Sequence, residues 1–323
     1  MNSHELLMVK GRILDAQRVL VISHIRPDGD AIGSLLGLGL ALMDIGKDVT
    51  MVSEDGTPAC YKHLPDHELV VKRPEGEYDL IVVVDCSDLS RTGKALKGYA
   101  QPDLNIDHHV TNLYYAKMNL VDPSAVATAE MLAEYLPQWG MTITHAIADV
   151  LLTGMITDTL GFRTSNVTPS ALRIAASLME MGANLSDLYN LALKNKSYEA
   201  MRLWGSGLSN LERNGPLVWT SLSLVDRLAA GYSGRDDADL INVLSSIDGA
   251  LISIIFVEQP NHSVKVSWRA QQGVDISQIA LQFGGGGHPA AAGAELDGSL
   301  ESVRNKVLEE TYKLLEIHTP LHI

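Results

Sequence analysis

Short apolar runs, rich in β-branched residues, alternate with helical patterns along the first half of the chain. The runs predict strands, and the longer stretches between them predict helices. The predicted strands are Val19–Ser23, Asp48–Ser53, Tyr78–Asp85 and Asp103–Ile106, and the predicted helices include one beginning near Asp30 and two over Thr128–Leu136 and Ala146–Asp158. Continuous apolar strands separated by helices are typical of a parallel sheet covered on both faces. The sequence therefore predicts an α/β fold with a doubly wound parallel sheet in its N-terminal part.

The pattern changes after Pro169. Residues Ser170–Leu211 predict nearly continuous helix, with one break near Gly182. A strand-rich region follows Pro216, with apolar runs at Leu217–Leu224, Ala250–Val257 and Ser263–Arg269. We therefore predict an N-terminal domain over residues 1–195, a helical connector over 196–215 and a smaller mixed α/β domain over 216–323.

Composition narrows the class of protein. Hydrophobic residues make up 46% of the chain and charged residues 20%, as in ordinary globular proteins. The segment Met1–Arg18 lacks the apolar core of a signal peptide, and the apolar run Ala31–Met43 is shorter than the roughly 20 residues that a membrane span needs. The two cysteines, Cys60 and Cys86, are too few for a disulfide framework. We expect a soluble, cytoplasmic protein without a membrane partner.

The formal net charge of −14 bears on nucleic-acid binding. A protein that binds long nucleic acid usually presents a basic surface, which this chain does not have on average. Aromatic residues are only 5% of the chain, so extensive stacking of a long single strand is not expected. Any nucleic-acid substrate should therefore be short, although an acidic balance by itself also serves solubility.

Three polar groups follow the first predicted strand. His24, Asp28 and Asp30 surround a tight turn containing Pro27 and Gly29, at the place where an open α/β sheet binds its ligands. These groups would repel or strain one another unless a cation compensates, and imidazole with carboxylate suits Mn²⁺, Zn²⁺ or Fe²⁺. The alternative is an ordinary type I turn in which Asp30 is the N-cap of the next helix.

Three further elements end in groups that bind metals. Asp85 ends the third strand, and Asp107-His108-His109 follows the fourth. Asp158 ends an apolar helix, where a carboxylate meets an unfavourable dipole that a cation would relieve. Each signal is modest, since an aspartate at a strand end often only caps a loop. Their conjunction predicts a metal site.

These segments resemble the four motifs of the DHH phosphoesterase superfamily. The matching residues are His24 with Pro27-Asp28-Gly29-Asp30, then Asp85, then Asp107-His108-His109, and then Thr157-Asp158-Thr159. The run Gly284-Gly285-Gly286-Gly287-His288 resembles the signature of the DHH-associated C-terminal domain. The order and spacing of the motifs agree over nearly the whole chain. The chain is most similar to the bacterial nano-RNases, which also dephosphorylate 3′-phosphoadenosine 5′-phosphate.

The resemblance implies a site for two divalent ions, with Mn²⁺ as the expected metal. The implied ligands are His24, Asp28 and Asp85 for one ion, and Asp30, Asp85, His108 and Asp158 for the other. Asp107 would orient the adjacent histidines, and His109 would contact the scissile phosphate and assist departure of the leaving oxygen. Two cations about 3.5–4 Å apart can activate one shared hydroxide for in-line attack at phosphorus, which supports this assignment on physical grounds.

The second domain carries candidates for substrate recognition. Gly285, Gly286 and Gly287 could turn backbone N–H groups toward an anion, and we predict that the small-residue run after Pro289 starts a helix whose dipole adds to this. Arg269 could grip a phosphate bidentately, or it could be an exposed arginine on an edge strand. The resemblance assigns Arg269 and His288 to the far end of a short nucleotide in a cleft between the domains. It also places Arg163 near the metal site, where a structural salt bridge is the alternative.

The expected partners are short oligoribonucleotides of about two to five nucleotides, or nucleotide bisphosphates, and the resemblance implies that they are hydrolysed to mononucleotides. Exopolyphosphatase or inorganic pyrophosphatase activity ranks second, because Ser267-Trp268-Arg269-Ala270 lacks the lysines of the pyrophosphatase phosphate site. Phosphodiesterase activity on cyclic or linear dinucleotides and a non-catalytic, metal-dependent nucleotide sensor are further alternatives. The sequence does not decide the oligomeric state, and a homodimer is left open.

Overall fold

The computed structural model describes residues 3–271 and 273–318. Contacts between residues divide the chain into two compact units, one up to Asn195 and the other from Lys196 onward. Within the described residues, no helix is long and apolar enough to cross a membrane.

The N-terminal unit is built on a six-stranded parallel sheet. Its strands are β1 (Arg18–Ile22), β2 (Asp48–Val52), β3 (Val70–Val71), β4 (Leu80–Val84), β5 (Leu104–Asp107) and β6 (Met118–Val121). The spatial order is β3-β2-β1-β4-β5-β6. The chain thus proceeds outward from β1 in one direction and from β4 in the other. The predicted α/β class with a parallel sheet is confirmed.

Six helices accompany this sheet. They are α1 (Ser3–Asp15), α2 (Gly29–Asp44), α3 (Thr128–Gln138), α4 (His145–Asp158), α5 (Pro169–Glu180) and α6 (Leu185–Tyr189), and a π-helical turn over Asn190–Lys194 follows. The helix α2 is buried along nearly its whole length, as its apolar sequence predicts. It packs against α4, and together with the apolar strands these helices form the main hydrophobic core.

The C-terminal unit contains a mixed sheet in the order β11-β12-β10-β9-β8-β7. Its strands are β7 (Glu212–Asn214), β8 (Leu217–Leu222), β9 (Ile252–Glu258), β10 (Ser263–Ala270), β11 (Gly286–His288) and β12 (Ala291–Asp297). Its helices are α7 (Tyr198–Ser209), α8 (Leu224–Ala230), α9 (Leu240–Leu244), α10 (Ser277–Gln282) and α11 (Leu300–His318). Strands β8 and β9 are parallel, and the other neighbours are antiparallel. A smaller, mixed α/β unit is therefore present after the helical region, as predicted.

Two expectations about local structure are wrong. The long helix predicted over Ser170–Leu211 is three helices, because Ser197 begins α7 as a separate N-cap in addition to the break near Gly182. The small-residue run after Pro289 is strand β12 rather than a helix. Alanine favours helices intrinsically, but here β12 pairs with both β10 and β11, and this tertiary pairing overrides the propensity.

Candidate active site

The candidate site lies at the carboxyl ends of β1, β4 and β5, which are neighbours in the sheet. Between β1 and β4 the chain reverses the direction in which it adds strands, and open α/β sheets bind ligands outside the strand ends at such a point. His24 and Asp28 follow β1, Asp85 follows β4, and Asp107 is the last residue of β5. The topology therefore brings three of the predicted motifs to one edge of the sheet.

The turn after β1 is organised by Asp28, whose Oδ1 accepts a hydrogen bond from the backbone N–H of Ala31 at 3.0 Å. Asp28, and not Asp30, is thus the N-cap of α2, which corrects the alternative proposed for Asp30. Gly29 between them lies against Thr157 of α4, and a side chain at position 29 would collide with the Thr157 side chain. This close contact brings the start of α2 next to the end of α4, where Asp158 lies.

Asp30 is buried, and its carboxylate forms hydrogen bonds with a different helix, α3. Its Oδ2 and Oδ1 accept hydrogen bonds from the backbone N–H groups of Thr128 (2.6 Å) and Ala129 (2.9 Å), at the start of α3. Ala127, the N-cap residue of α3, has no capping side chain of its own. The carboxylate of Asp30 therefore satisfies N–H groups that α3 cannot satisfy alone, and this fixes its position.

Asp85 occupies the centre of the site. Its backbone is left-handed, with φ of 52°, which is uncommon for a residue other than glycine. Its Oδ2 lies 3.6 Å from His24 Nε2, and its Oδ1 lies 3.8 Å from His108 Nε2. The two oxygens of one buried carboxylate thus face two different histidines.

Two groups of potential ligands meet at Asp85. In one group, atoms of His24, Asp28 and Asp85 all lie within 4.8 Å of one another, and in the other the same holds for Asp30, His108 and Asp158. His108 Nε2 is 3.3 Å from Asp158 Oδ2 and 3.9 Å from Asp30 Oδ2. The structure therefore brings together all six residues that the sequence analysis named as metal ligands.

The carboxylates of the site lie close enough to repel one another. Burial, together with the charges of Asp85 and Asp158, raises the pKa of Asp30 well above its usual value. Burial likewise raises the pKa of Asp158 to about 7, with His108 opposing the shift and Asp85 adding to it. Carboxylates crowded in this way are ionised at neutral pH only if cations offset their repulsion.

The protons of His24 also fit this arrangement. Its Nδ1 lies 2.8 Å from the carbonyl oxygen of Ile25 and donates a proton there, so that Nε2 is the acceptor when the imidazole is neutral. Nε2 faces the carboxylates of Asp28 and Asp85, and these three residues would hold a metal ion. Arg91 Nη2 is 3.2 Å from the same Nδ1, and in this tautomer it is a neighbour rather than a donor to the ring.

His109 is oriented by Asp107. The carboxylate of Asp107 accepts a hydrogen bond from His109 Nδ1 at 2.7 Å and another from Asn112 Nδ2 at 2.6 Å. Burial by itself lowers the pKa of His109, but the bond to Asp107 and the nearby charge of Asp85 outweigh it and raise the pKa to about 9. His109 Nδ1 also lies 3.8 Å from Asp85 Oδ1, so His109 borders the ligand groups without being at their centre.

Two polar residues of the site were missed by the sequence analysis. Thr128 donates its hydroxyl to Asp85 Oδ1 at 3.0 Å, and Asn112 bridges Asp107 and Asn105. The sequence does contain a signal for a contact at the start of α3. A helix that starts after Ala127 has no capping side chain, so its first N–H groups require an acceptor from another segment. For Asn112 there was no signal, since the loop that holds it has no periodic pattern.

Arg163 and Arg269 were named as substrate-binding residues. Arg163 is exposed and forms no ion pair within the described part of the chain, so the salt-bridge alternative is not realised there. Arg269 lies on β10, between β9 and β12, and is therefore not on an edge strand as one alternative held. It donates to Asn242 Oδ1 at 3.3 Å and to the carbonyl oxygen of Trp268 at 3.0 Å.

The glycines from Gly284 to Gly287 also have structural roles. Gly284 has a left-handed backbone (φ of 74°) directly after α10, and Gly285 donates its N–H to the carbonyl oxygen of Ala280 at 2.8 Å. A side chain at Gly285 or Gly287 would collide with the backbone of β12. At Gly284 and Gly286 the neighbouring space is open. The side chain of His288 lies outside the described part of the structure, whereas its backbone shares a row of the sheet with Arg269 through Ala291.

A parallel α/β sheet whose switch point carries clustered carboxylates and imidazoles is the architecture of a metal-dependent hydrolase. Comparison with known proteins agrees. Residues 18–155 match the N-terminal domain of the DHH family, and residues 223–316 match the DHHA1 domain. The chain is 38% identical to the bifunctional oligoribonuclease and PAP phosphatase NrnA of Thermus thermophilus, over 90% of this chain and 88% of that protein.

A second relative of the same name, from Bacillus subtilis, is 27% identical over 86% of this chain and 89% of its own length. The crystal structure of an exopolyphosphatase-related protein from Bacteroides fragilis superposes with a TM-score of 0.88 at 24% identity, covering 98% of both chains, and this likeness concerns the fold. The chain belongs to the DHH family, with a DHHA1 domain. It is a hydrolase acting on phosphoester bonds, and its family uses divalent metals.

Proposed function

We propose that this protein hydrolyses short oligoribonucleotides of about two to five nucleotides to mononucleotides, and 3′-phosphoadenosine 5′-phosphate to AMP, with two Mn²⁺ ions. The observation that carries the proposal is the position of Asp85, which forms one ligand group with His24 and Asp28 and lies 3.8 Å from His108 of the group formed by Asp30, His108 and Asp158. The relatives named for oligoribonuclease and PAP phosphatase activity, which align over nearly their whole length, support the choice of substrate.

The donor set fits two divalent ions. The proposed ligands are His24, Asp28 and Asp85 for one ion, and Asp30, Asp85, His108 and Asp158 for the other. The four carboxylates among them offset the charge of two divalent cations, and mixed imidazole and carboxylate donors suit Mn²⁺. When bound, such ions lower the pKa of a coordinated water and neutralise the charge that develops on a phosphoryl group.

The residues of the chain then have defined tasks. Thr128 holds Asp85 through its hydroxyl, and the N–H groups at the start of α3 hold Asp30, so that both carboxylates keep their directions in the absence of substrate. His109, oriented by Asp107, is proposed to contact the scissile phosphate and to give its Nε2 proton to the leaving oxygen. The Asp107 carboxylate stabilises the charged imidazole before that transfer.

Arg269, Gly285, Gly286, Gly287 and His288 are proposed to bind a phosphate of the substrate remote from the bond that is cleaved, and Arg163 to bind substrate near the metal ions. Burial lowers the pKa of Arg269, and Asp237 and Asp239 oppose the shift. A half-buried guanidinium without an ion pair within 4 Å in the described residues is suited to a bidentate phosphate contact.

Substituting Arg269 with alanine is expected to raise KM for a dinucleotide about tenfold, with a smaller change in kcat, because the contact is remote from the reacting phosphorus. Arg269→Lys should recover only part of the loss, since an ammonium group cannot bind bidentately. Steady-state kinetics would measure both. Arg202→Ala, which removes an exposed arginine of α7, is the matched control and should leave KM unchanged.

The proposed function itself is tested by a substrate panel. The purified protein would be assayed with Mn²⁺ on RNA dinucleotides and pentanucleotides, 3′-phosphoadenosine 5′-phosphate, pyrophosphate, polyphosphate and cyclic dinucleotides. We expect turnover of the first three and its loss on exhaustive chelation. Exclusive turnover of pyrophosphate or polyphosphate would replace the proposed substrate class, and turnover that survives chelation would contradict the role of the metals.

A further inference from the structure

A second pocket lies wholly within the C-terminal unit, with a volume of about 420 Å³. Its walls include Leu224, Arg227, Leu228, Tyr232, Arg235 and Pro260. Pockets of about 300–1,000 Å³ commonly hold small organic ligands. None of these residues belongs to the motifs considered above, so the function proposed for the metal site does not account for this pocket.

The position of the pocket follows a general rule of sheet topology. Helix α8 begins directly after β8, and Pro260 follows β9, so the pocket lies at the carboxyl ends of the two parallel strands of this sheet. Ligands of open α/β sheets gather at such ends. Arg269 pairs with Ser253, near the opposite end of β9. From Ser253 to Glu258 the strand rises by roughly 17 Å, at about 3.3 Å per residue, which separates the pocket from Arg269.

Arg227 is the buried cation of this pocket. Only 8% of the residue is exposed. One Nη2–H bonds the carbonyl oxygen of Glu258 at 3.0 Å, but Nε is buried and has no hydrogen-bond partner in the described residues. A buried charged group with an unpaired donor is uncommon in folded proteins, so the unpaired Nε of Arg227 calls for an explanation.

The charged residues that line the pocket are both arginines. The lining includes no acidic residue, whereas the whole chain has a net charge of −14. Two carboxylates near Arg227 offset part of its charge: Asp236, which accepts from the Tyr232 hydroxyl at 2.6 Å, and Glu258, which accepts from the N–H of Leu224 at 2.9 Å. Neither Arg227 nor Arg235 has a carboxylate within 4.0 Å in the described residues. The pocket is therefore suited to an anion.

The remaining walls define the rest of the ligand. Leu224, Leu228 and Pro260 are apolar, and Leu228 is 84% exposed, so an organic group bound there would cover hydrophobic surface. We propose that this pocket is a second ligand site that binds a small organic phosphate, with Arg227 and Arg235 on the phosphate and the apolar residues against the organic group. Two guanidinium groups match the several acceptor oxygens of a phosphate monoester.

Hydrogen–deuterium exchange of the full-length protein tests this inference, with 5′-AMP as the organic phosphate and with inorganic phosphate and adenosine as separate ligands. We expect 5′-AMP to slow exchange in residues 224–235 and 259–261, inorganic phosphate to do so more weakly, and adenosine not to do so. Arg235→Ala should raise the 5′-AMP concentration needed for half-maximal protection at least tenfold. Because Arg235 is exposed, this variant is expected to fold normally, which its thermal melting curve would check.

Arg227→Gln should weaken the protection similarly, and Arg269→Ala serves as the control that leaves it unchanged. Absence of protection in residues 224–235 with every ligand would overturn the proposal. Equal protection by adenosine and 5′-AMP would show that the pocket does not recognise the phosphate group. Equal protection by inorganic phosphate and 5′-AMP would show that it does not recognise the organic group. None of these readings depends on turnover at the metal site, so failure here is distinguishable from failure of the proposed phosphoesterase function.

Discussion

Replacement of Asp85 with asparagine is expected to reduce phosphodiester hydrolysis by about a thousandfold or more. The reason is geometric: one carboxylate faces His24 through Oδ2 and His108 through Oδ1, so its charge serves both ligand groups. An amide of the same shape keeps the hydrogen bond from Thr128 but removes the negative charge. Steady-state assays on an RNA dinucleotide at saturating Mn²⁺ would measure the loss.

A second measurement separates loss of metal binding from misfolding. A ligand that binds only the folded state raises its stability, so added Mn²⁺ should raise the melting temperature of the wild-type protein. That increase should shrink in Asp85→Asn, whereas the control Asp44→Asn, which changes an exposed aspartate at the end of α2, should behave like the wild type. An Asp85→Asn variant with normal turnover and a normal Mn²⁺ response would contradict the bridging role.

Substitution of His109 with alanine is expected to lower kcat about 10²–10³-fold, which is the typical contribution of a general acid. Metal binding should be kept, because His109 borders the ligand groups and Asp107 orients its ring. Asp107→Asn should also lower kcat, but by a smaller factor, because the His109 ring loses its charged partner and keeps its position. Rapid-quench kinetics on a dinucleotide, with Mn²⁺ content measured in parallel, would provide both values.

The same experiment distinguishes two roles for His109. Atoms of Asp85, His108 and His109 also lie within 4.8 Å of one another, so His109 could itself be a ligand. In that case His109→Ala would lose bound Mn²⁺ together with activity. Unchanged turnover at full metal content would exclude both roles.

The sequence predicted the N-terminal sheet well, because its strands are buried on both faces and therefore read as continuous apolar runs. Leu80–Val84 is an example, and the aspartate that follows it marked the strand end. Strands β3 and β6 were missed. They lie at the two edges of the sheet, are short and carry half-exposed residues, so neither contains an apolar run long enough to predict a strand.

The candidate ligands were also accessible from sequence, since each follows a recognisable strand or ends an apolar helix. The supporting contacts were not accessible. The bonds from Thr128 and Ala129 to Asp30 join residues separated by about a hundred positions, and no local pattern encodes such a pairing. The glycine run shows the opposite error: a sequence that suggests an anion-binding loop is used in large part to let β11 approach β12.

The contact between Gly29 and Thr157 has a practical consequence for protein engineering. These two residues come from segments far apart in the chain, and each is flanked by proposed ligands or lies beside one. A side chain at position 29 would collide with Oγ1, Cγ2 and Cβ of Thr157, so the two segments have to be exchanged together in a chimera. A chimera that exchanges only one of them with a distant relative should misplace Asp30 or Asp158, whereas exchanging both should preserve their alignment.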